Sequence, residues 1–128
     1  MTISAYIEDL LLNHVLGSST TPFVTTTSVY MSLHTGDPGE TGTGSPLASC
    51  PRFAVHIGAA VSATAANDST ASVIASATGT VTHVALWDAT STGTGNCFWY
   101  GALTASKVVA NVGDTVTLAV GALTVTVD

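Results

Sequence analysis

Positive charge is nearly absent from this sequence. Arg52 and Lys107 are the only Lys or Arg residues, set against eight carboxylates and four histidines, for a net charge of −6. Binding nucleic acid takes several Lys or Arg side chains to displace phosphate counterions, so no nucleic-acid partner is expected. Charge of either sign is scarce, at 8% of residues against about a quarter in an average soluble protein. Long apolar runs are missing too. None approaches the roughly 18 residues of a membrane span, and no membrane partner is expected. The mean hydropathy of +0.49 comes from scattered Ala and Val. The first residues lack a basic stretch and carry Glu8 and Asp9 where a secretory leader would be apolar. The expectation is a chain made and kept in the cytoplasm unless it leaves as part of a particle.

Cysteine is limited to Cys50 and Cys97. A bridge would need their Cα atoms within about 7 Å, and a non-secreted chain favours two buried free thiols instead. The patterns that carry chemistry are also missing. The histidines are far apart, with His34 and Asp37 the closest ligand-like pair, whereas zinc sites are built from close ligand pairs. Asp37 and Glu40 lie in a glycine-rich loop that lacks the EF-hand spacing for calcium. Gly36 to Gly44 has the glycines of a phosphate loop without its lysine or following helix. No Gly-x-Ser-x-Gly occurs, and Asp68, Asp88 and Asp114 sit at turns, where Asp commonly caps the chain. The chain is therefore read as no enzyme, with no catalytic, cofactor or metal residue.

What is present in quantity is threonine, at 22 residues. β-branched side chains pack well on pleated sheets, and a Thr, Ser, Ala and Gly exterior with few charges does little to keep copies apart. A self-associating or assembly-bound protein is expected. With 128 residues the chain forms one domain able to bury roughly two thirds of its unfolded surface.

The organising stretch runs from Thr80 to Leu103, where both tryptophans, Trp87 and Trp99, stand beside Phe98 and Tyr100. Two β-rich runs flank a Gly, Ser and Thr loop and predict an antiparallel pair. In the first, Val81, His83, Ala85 and Trp87 alternate with Thr82, Val84, Leu86 and Asp88, so both faces are mostly apolar. Such a pair belongs in the middle of a sandwich, one face on the opposing sheet and the other under a helix, a long loop or a neighbouring subunit. The predicted structural core is Trp87, Trp99, Phe98, Val84 and Leu86. His83 is expected to donate to a backbone carbonyl.

Elsewhere, residues 1–17 predict an amphipathic helix from Ser4 to Leu16 with Ile7, Leu10 and Leu11 on its apolar stripe. Thr2 or Ser4 can cap it and Gly17 can stop it. Residues 18–27, with Pro22 and Phe23, read as a linker. Residues 28–128 read as a single β-sandwich domain. Its strands are Ser28–His34, Arg52–Ile57, Ala71–Ala75, the central pair, a short one at Lys107–Ala110, Thr115–Val120 and Leu123–Val127, with Gly58–Asp68 ambiguous. Val116, Leu118, Val120, Leu123, Val125 and Val127 are expected to face inward. Gly121 predicts either a two-residue hairpin or a bulge in one continuous strand. The long loop 35–49 exceeds ordinary loop lengths and is a candidate for function. The predicted class is all-β, an antiparallel sandwich or jelly roll with one N-terminal α-helix.

From Ser28 through Gly42 the chain resembles a family of small virion proteins of tailed bacteriophages. The resemblance is carried by Ile3 to Gly17, Leu33 to Gly39, Arg52 to Ile57, Gly79 to His83, Phe98 to Leu103 and Gly121 to Asp128, and so spans nearly the whole chain. Trp99 departs from it by interrupting a Phe-Tyr pair, and Ser49-Cys50-Pro51 by replacing a Gly-rich approach to the arginine strand. Members are often labelled tail fibre proteins, and some resemble cement or head-decoration proteins that sit as trimers on the outer capsid. The resemblance thus implies a capsid cement or decoration protein, located on the virion's capsid surface, with itself (as a homotrimer) and the major capsid protein as partners. The candidate interface is Ile7, Leu10 and Leu11 of the helix with Asp37, Pro38 and Glu40 of the loop. The alternative is a tail-associated receptor-binding module recognising host surface glycan, for which Trp87, Trp99 and Tyr100 would be the aromatic platform.

Overall fold

A computed structural model describes residues 1–17 and 28–127. The expected linker 18–27 lies outside the described residues. Ten elements follow in order: β1 Thr2–Ile3, α1 Ala5–Val15, β2 Val29–His34, β3 Phe53–Val55, β4 Thr64–Ala66, β5 Ala71–Ile74, β6 Gly79–Trp87, β7 Cys97–Val109, β8 Thr115–Leu118 and β9 Thr124–Thr126. The fold is all-β with one N-terminal helix, as the residue pattern predicts. A five-stranded antiparallel sheet has the order β1-β7-β6-β2-β3, and the antiparallel ribbons β4-β9 and β5-β8 form a second, thinner layer.

The main core lies between these layers. Met31 and Leu33 of β2, Phe53 and Val55 of β3, and Val84 and Leu86 of β6 meet the ribbon residues Val73, Val116 and Val125. Burying a side chain such as Leu86, 1% exposed, stabilises the fold by about 1.5–3 kcal/mol. The predicted central pair is present, with Leu86 opposite Trp99 and Trp87 opposite Cys97. Its alternation is broken, however. Val81 pairs with Lys107 and His83 with Ala102, so β7 bulges over residues 103–106. Val81 consequently joins the same core as Val84 and Leu86 instead of lining up with Trp87. The expected separate strand at Lys107–Ala110 is the far half of β7, carried on past that bulge.

Three further expectations are corrected. β8 and β9 are neither a hairpin nor one strand, because Gly121 (φ +73°) turns the chain between the two ribbons and its N–H donates to the Asn67 carbonyl. Asn67, 1% exposed, anchors that turn by donating to the Ser69 and Ala119 carbonyls and accepting from the Leu123 N–H. Val120 and Val127, expected inside, are 61% and 42% exposed because each lies just beyond the end of its strand. His83 shares a hydrogen bond with the Thr82 hydroxyl at 2.9 Å in place of a carbonyl.

Helix α1 starts where the capping chemistry predicts. The Ser4 hydroxyl accepts from the Ile7 N–H and donates to the Cys97 carbonyl, and the Ser4 N–H donates to the Phe98 carbonyl. The cap is thereby welded to the sheet edge that β1 has just joined. The first turn docks, with Ile7 buried and Tyr6 stacked on Phe98 at 6.4 Å. The second half projects Leu12, Val15 and Leu16, which are 57%, 70% and 73% exposed.

Candidate functional site

The outer face of the sheet carries a second, smaller apolar cluster of Ala85, Trp87 and Cys97, flanked by Tyr30 and Tyr100. Period-two alternation puts Tyr30, Ser32 and His34 of β2 on this face, and register sets them opposite Trp87, Ala85 and His83. Trp87 is the centre of the face. Its indole N–H donates to the Ser32 hydroxyl at 2.8 Å, and the Arg52 guanidinium carbon lies 3.5 Å from its ring centroid. Ser32 in turn bonds His34 Nε2 at 2.7 Å, and His34 Nδ1 bonds the Gly44 carbonyl at 2.6 Å. Gly44 offers only an acceptor there, so Nδ1 carries the hydrogen and Nε2 accepts from Ser32. Burial, with His83 and Arg52 adding repulsion, holds the His34 imidazole below its ordinary value, against the opposing pull of the Gly44 carbonyl. Burial likewise pushes the Cys97 thiol up to about 11. Cys50 and Cys97 are both buried and free.

Two loops close over this floor. Residues 35–51 fold back through bonds from the Thr35 N–H to the Ser45 carbonyl, the Leu47 N–H to the Leu33 carbonyl and the Gly44 N–H to the Pro38 carbonyl. Asp37 accepts from the Gly39 N–H at 2.9 Å, an Asx turn that tightens the bend. Residues 88–96 are tied down by Arg52, whose Nη1 donates to the carbonyls of Ala89, Ser91 and Thr94 at 3.0, 2.9 and 2.8 Å. Asp88 closes the same loop by accepting from the Asn96 backbone and side-chain nitrogens at 2.7 and 2.8 Å. Between the loops run two adjoining cavities of about 430 and about 330 Å³. Thr43, Arg52, Trp87 and Gly93 line both, so the cavities are two lobes of one groove.

The structure separates the candidate interface residues. Ile7 is buried under the first turn of α1, and Pro38 is buried inside its loop. Leu10 is half-buried and Leu11 is 39% exposed. Asp37 and Glu40 are exposed, and Glu40 stands at the groove. Among the core candidates, Val84 and Leu86 fill the main core and Phe98 is buried against Tyr6. Trp87 is buried on the outer face, 4% exposed and covered by Arg52, so it cannot serve as an open aromatic platform. Trp99 packs on the core margin, and its indole nitrogen is buried without a partner among the described residues. Among the described residues no three His, Cys, Asp or Glu side chains gather as a metal site. No described helix is long and apolar enough to cross a membrane.

Sequence reasoning missed Arg52 and the Ser32–His34 pair. A signal existed for the pair, since residues two apart on a strand share a face. None existed for Arg52, whose partners are 37 to 42 positions away. A family model described as "Podophage GP4 fiber I protein gp80" matches residues 2–126. No curated protein matches the chain.

Proposed function

This chain belongs to the podophage GP4 fiber I protein gp80 family, and from that premise we propose that it serves the phage virion as a structural domain of the fibre apparatus, in place of the capsid-cement role expected above. The observation that carries this reading is the family match, which covers residues 2–126 and whose description is of a fibre protein. Physical features support a role in contact. The exterior carries little charge, so close approach of a neighbour costs little desolvation of ions. The second half of α1 leaves Leu12, Val15 and Leu16 exposed. Isolated helices shorter than about 12–15 residues are marginal in water, so an 11-residue helix gains much from a covering surface. In this reading copies associate through α1, in the trimer that the resemblance implies. In this reading the domain is no enzyme, and the Ser32–His34 pair serves to fasten loop 35–51 to the sheet.

The test is immunogold labelling of intact virions with antibody to this chain, together with its copy number per particle. Label at the fibres in small copy number is expected. Label spread over the head in numbers matching the capsid lattice would instead establish the decoration role.

A further inference from the structure

The long loop is tied at its ends by the backbone and at its tip by a side chain. Bonds from the Thr35 N–H to the Ser45 carbonyl and from the Leu47 N–H to the Leu33 carbonyl fix the ends. The tip makes its backbone bonds within itself, from the Gly42 N–H to the Gly39 carbonyl and from the Gly44 N–H to the Pro38 carbonyl. Among the described residues, the hydrogen bond that joins tip to strand is the one from His34 Nδ1 to the Gly44 carbonyl. With that bond made, Gly42 is seated on Cys97 and Trp87. His34 also ends a buried chain, in which the Trp87 indole donates to Ser32 and the Ser32 hydroxyl donates to His34 Nε2.

We propose that His34 is an acid-released latch, whose protonation frees the loop tip, residues 36–44, and opens the Trp87–Cys97 cluster to water. Once both ring nitrogens carry hydrogen, Ser32 loses its acceptor, and its hydroxyl is left with the Ala85 carbonyl at 3.4 Å, beyond the usual range. The new charge is also badly placed. Among the described residues the charged groups acting on it are His83 of β6 and Arg52 ahead of β3, and both oppose it. The Cys50 thiol of the same cavity and the Cys97 thiol beside Trp87 are kept protonated by burial. Asp88 is engaged with Asn96, while Asp37 and Glu40 of the tip are exposed. At 1% exposure, a charged His34 is without water for as long as the tip is down. Lifting the tip hydrates the ring at the expense of the Gly44 bond and the Gly42 contact, and the fastened ends stay in place. The closed tip therefore prefers the neutral imidazole. Below the ordinary value of 6.5, each pH unit favours the open tip by up to about tenfold until the closed-form value is reached.

The experiment is an NMR pH titration of the full chain from about pH 8 to about pH 5. It follows the His34 ring protons, water exchange of the Trp87 indole N–H, and water exchange of the buried Val84 amide between β2 and β7, each exchange rate being divided by its intrinsic rate at that pH. Trp87 exchange is expected to rise by up to about tenfold per pH unit as His34 takes up its proton, while Val84 stays protected. His34→Asn, whose amide nitrogen can still donate to Gly44, should hold Trp87 protection constant over the same range. The latch is overturned if Trp87 stays protected while His34 titrates, if Val84 loses protection in step with Trp87, or if the folded variant shows the same rise. If His34→Asn fails to fold, coincidence of the Trp87 rise with the His34 titration decides alone, and a rise at other pH values overturns the latch. These signals come from the purified chain, so label on the virion head would end the fibre reading and leave the latch standing. Fibre label with Trp87 protected throughout would do the reverse.

Discussion

Trp87 illustrates how one residue's burial can be read correctly and its surroundings misread. Its β-rich context placed it in a core, and it is buried, yet the core it joins includes a guanidinium and a serine–histidine chain. Polar groups so enclosed are stable only when each finds its partner, which is why His34 bonds on both ring nitrogens. A pH dependence follows. Burial lowers the His34 value from 6.5, so the unfolded chain takes up that proton more readily than the folded one. The stability His34 contributes is therefore complete above its ordinary value and is lost as the pH falls from there through the folded-state value. Urea midpoints measured from about pH 8 to about pH 5 should decline, and His34→Asn, whose amide nitrogen can still donate to Gly44, should flatten that limb. An unchanged slope in the variant would assign the decline to another group.

At the scale of elements, the long loop behaves as a fitted cover. Gly42 makes this possible: it has φ +71°, and a Cβ there would stand 2.6 Å from the Cys97 sulfur and 2.7 Å from Trp87 Cζ2. Gly42→Ala should destabilise the fold by about 2–4 kcal/mol, combining the left-handed backbone penalty with overpacking. It should also speed alkylation of Cys97, whose high pKa and cover otherwise keep it inert. Urea unfolding and thiol labelling check both, and a variant as stable as the parent would mean that the loop does not rest on Trp87. Helix α1 was legible from its period, its Ser4 cap and Gly17, because those signals are local. Which of its residues dock was not. Ile7 is covered only because β1 first pairs Thr2 with Tyr100 and Ile3 with Trp99.

For the whole molecule, strands β2, β6 and β7 expose one face to the main core and the other to the Trp87 cluster, so neither cluster can melt alone. Tryptophan fluorescence and far-UV circular dichroism should therefore report one coincident unfolding transition, and separated midpoints would show the outer cluster to be an independent unit. Composition and alternation by themselves determined the all-β class, the central antiparallel pair, the capped helix and the poverty of basic groups, since each depends on residues close in the chain or on simple counts. Tertiary structure alone decided the rest. It divided the β strands into one five-stranded sheet and two ribbons, swung Val81 into the main core through the β7 bulge, and carried Arg52 across to Trp87 and the 88–96 loop. Those outcomes depend on contacts between distant segments, whose energies are set by which surfaces finally meet and not by any local pattern.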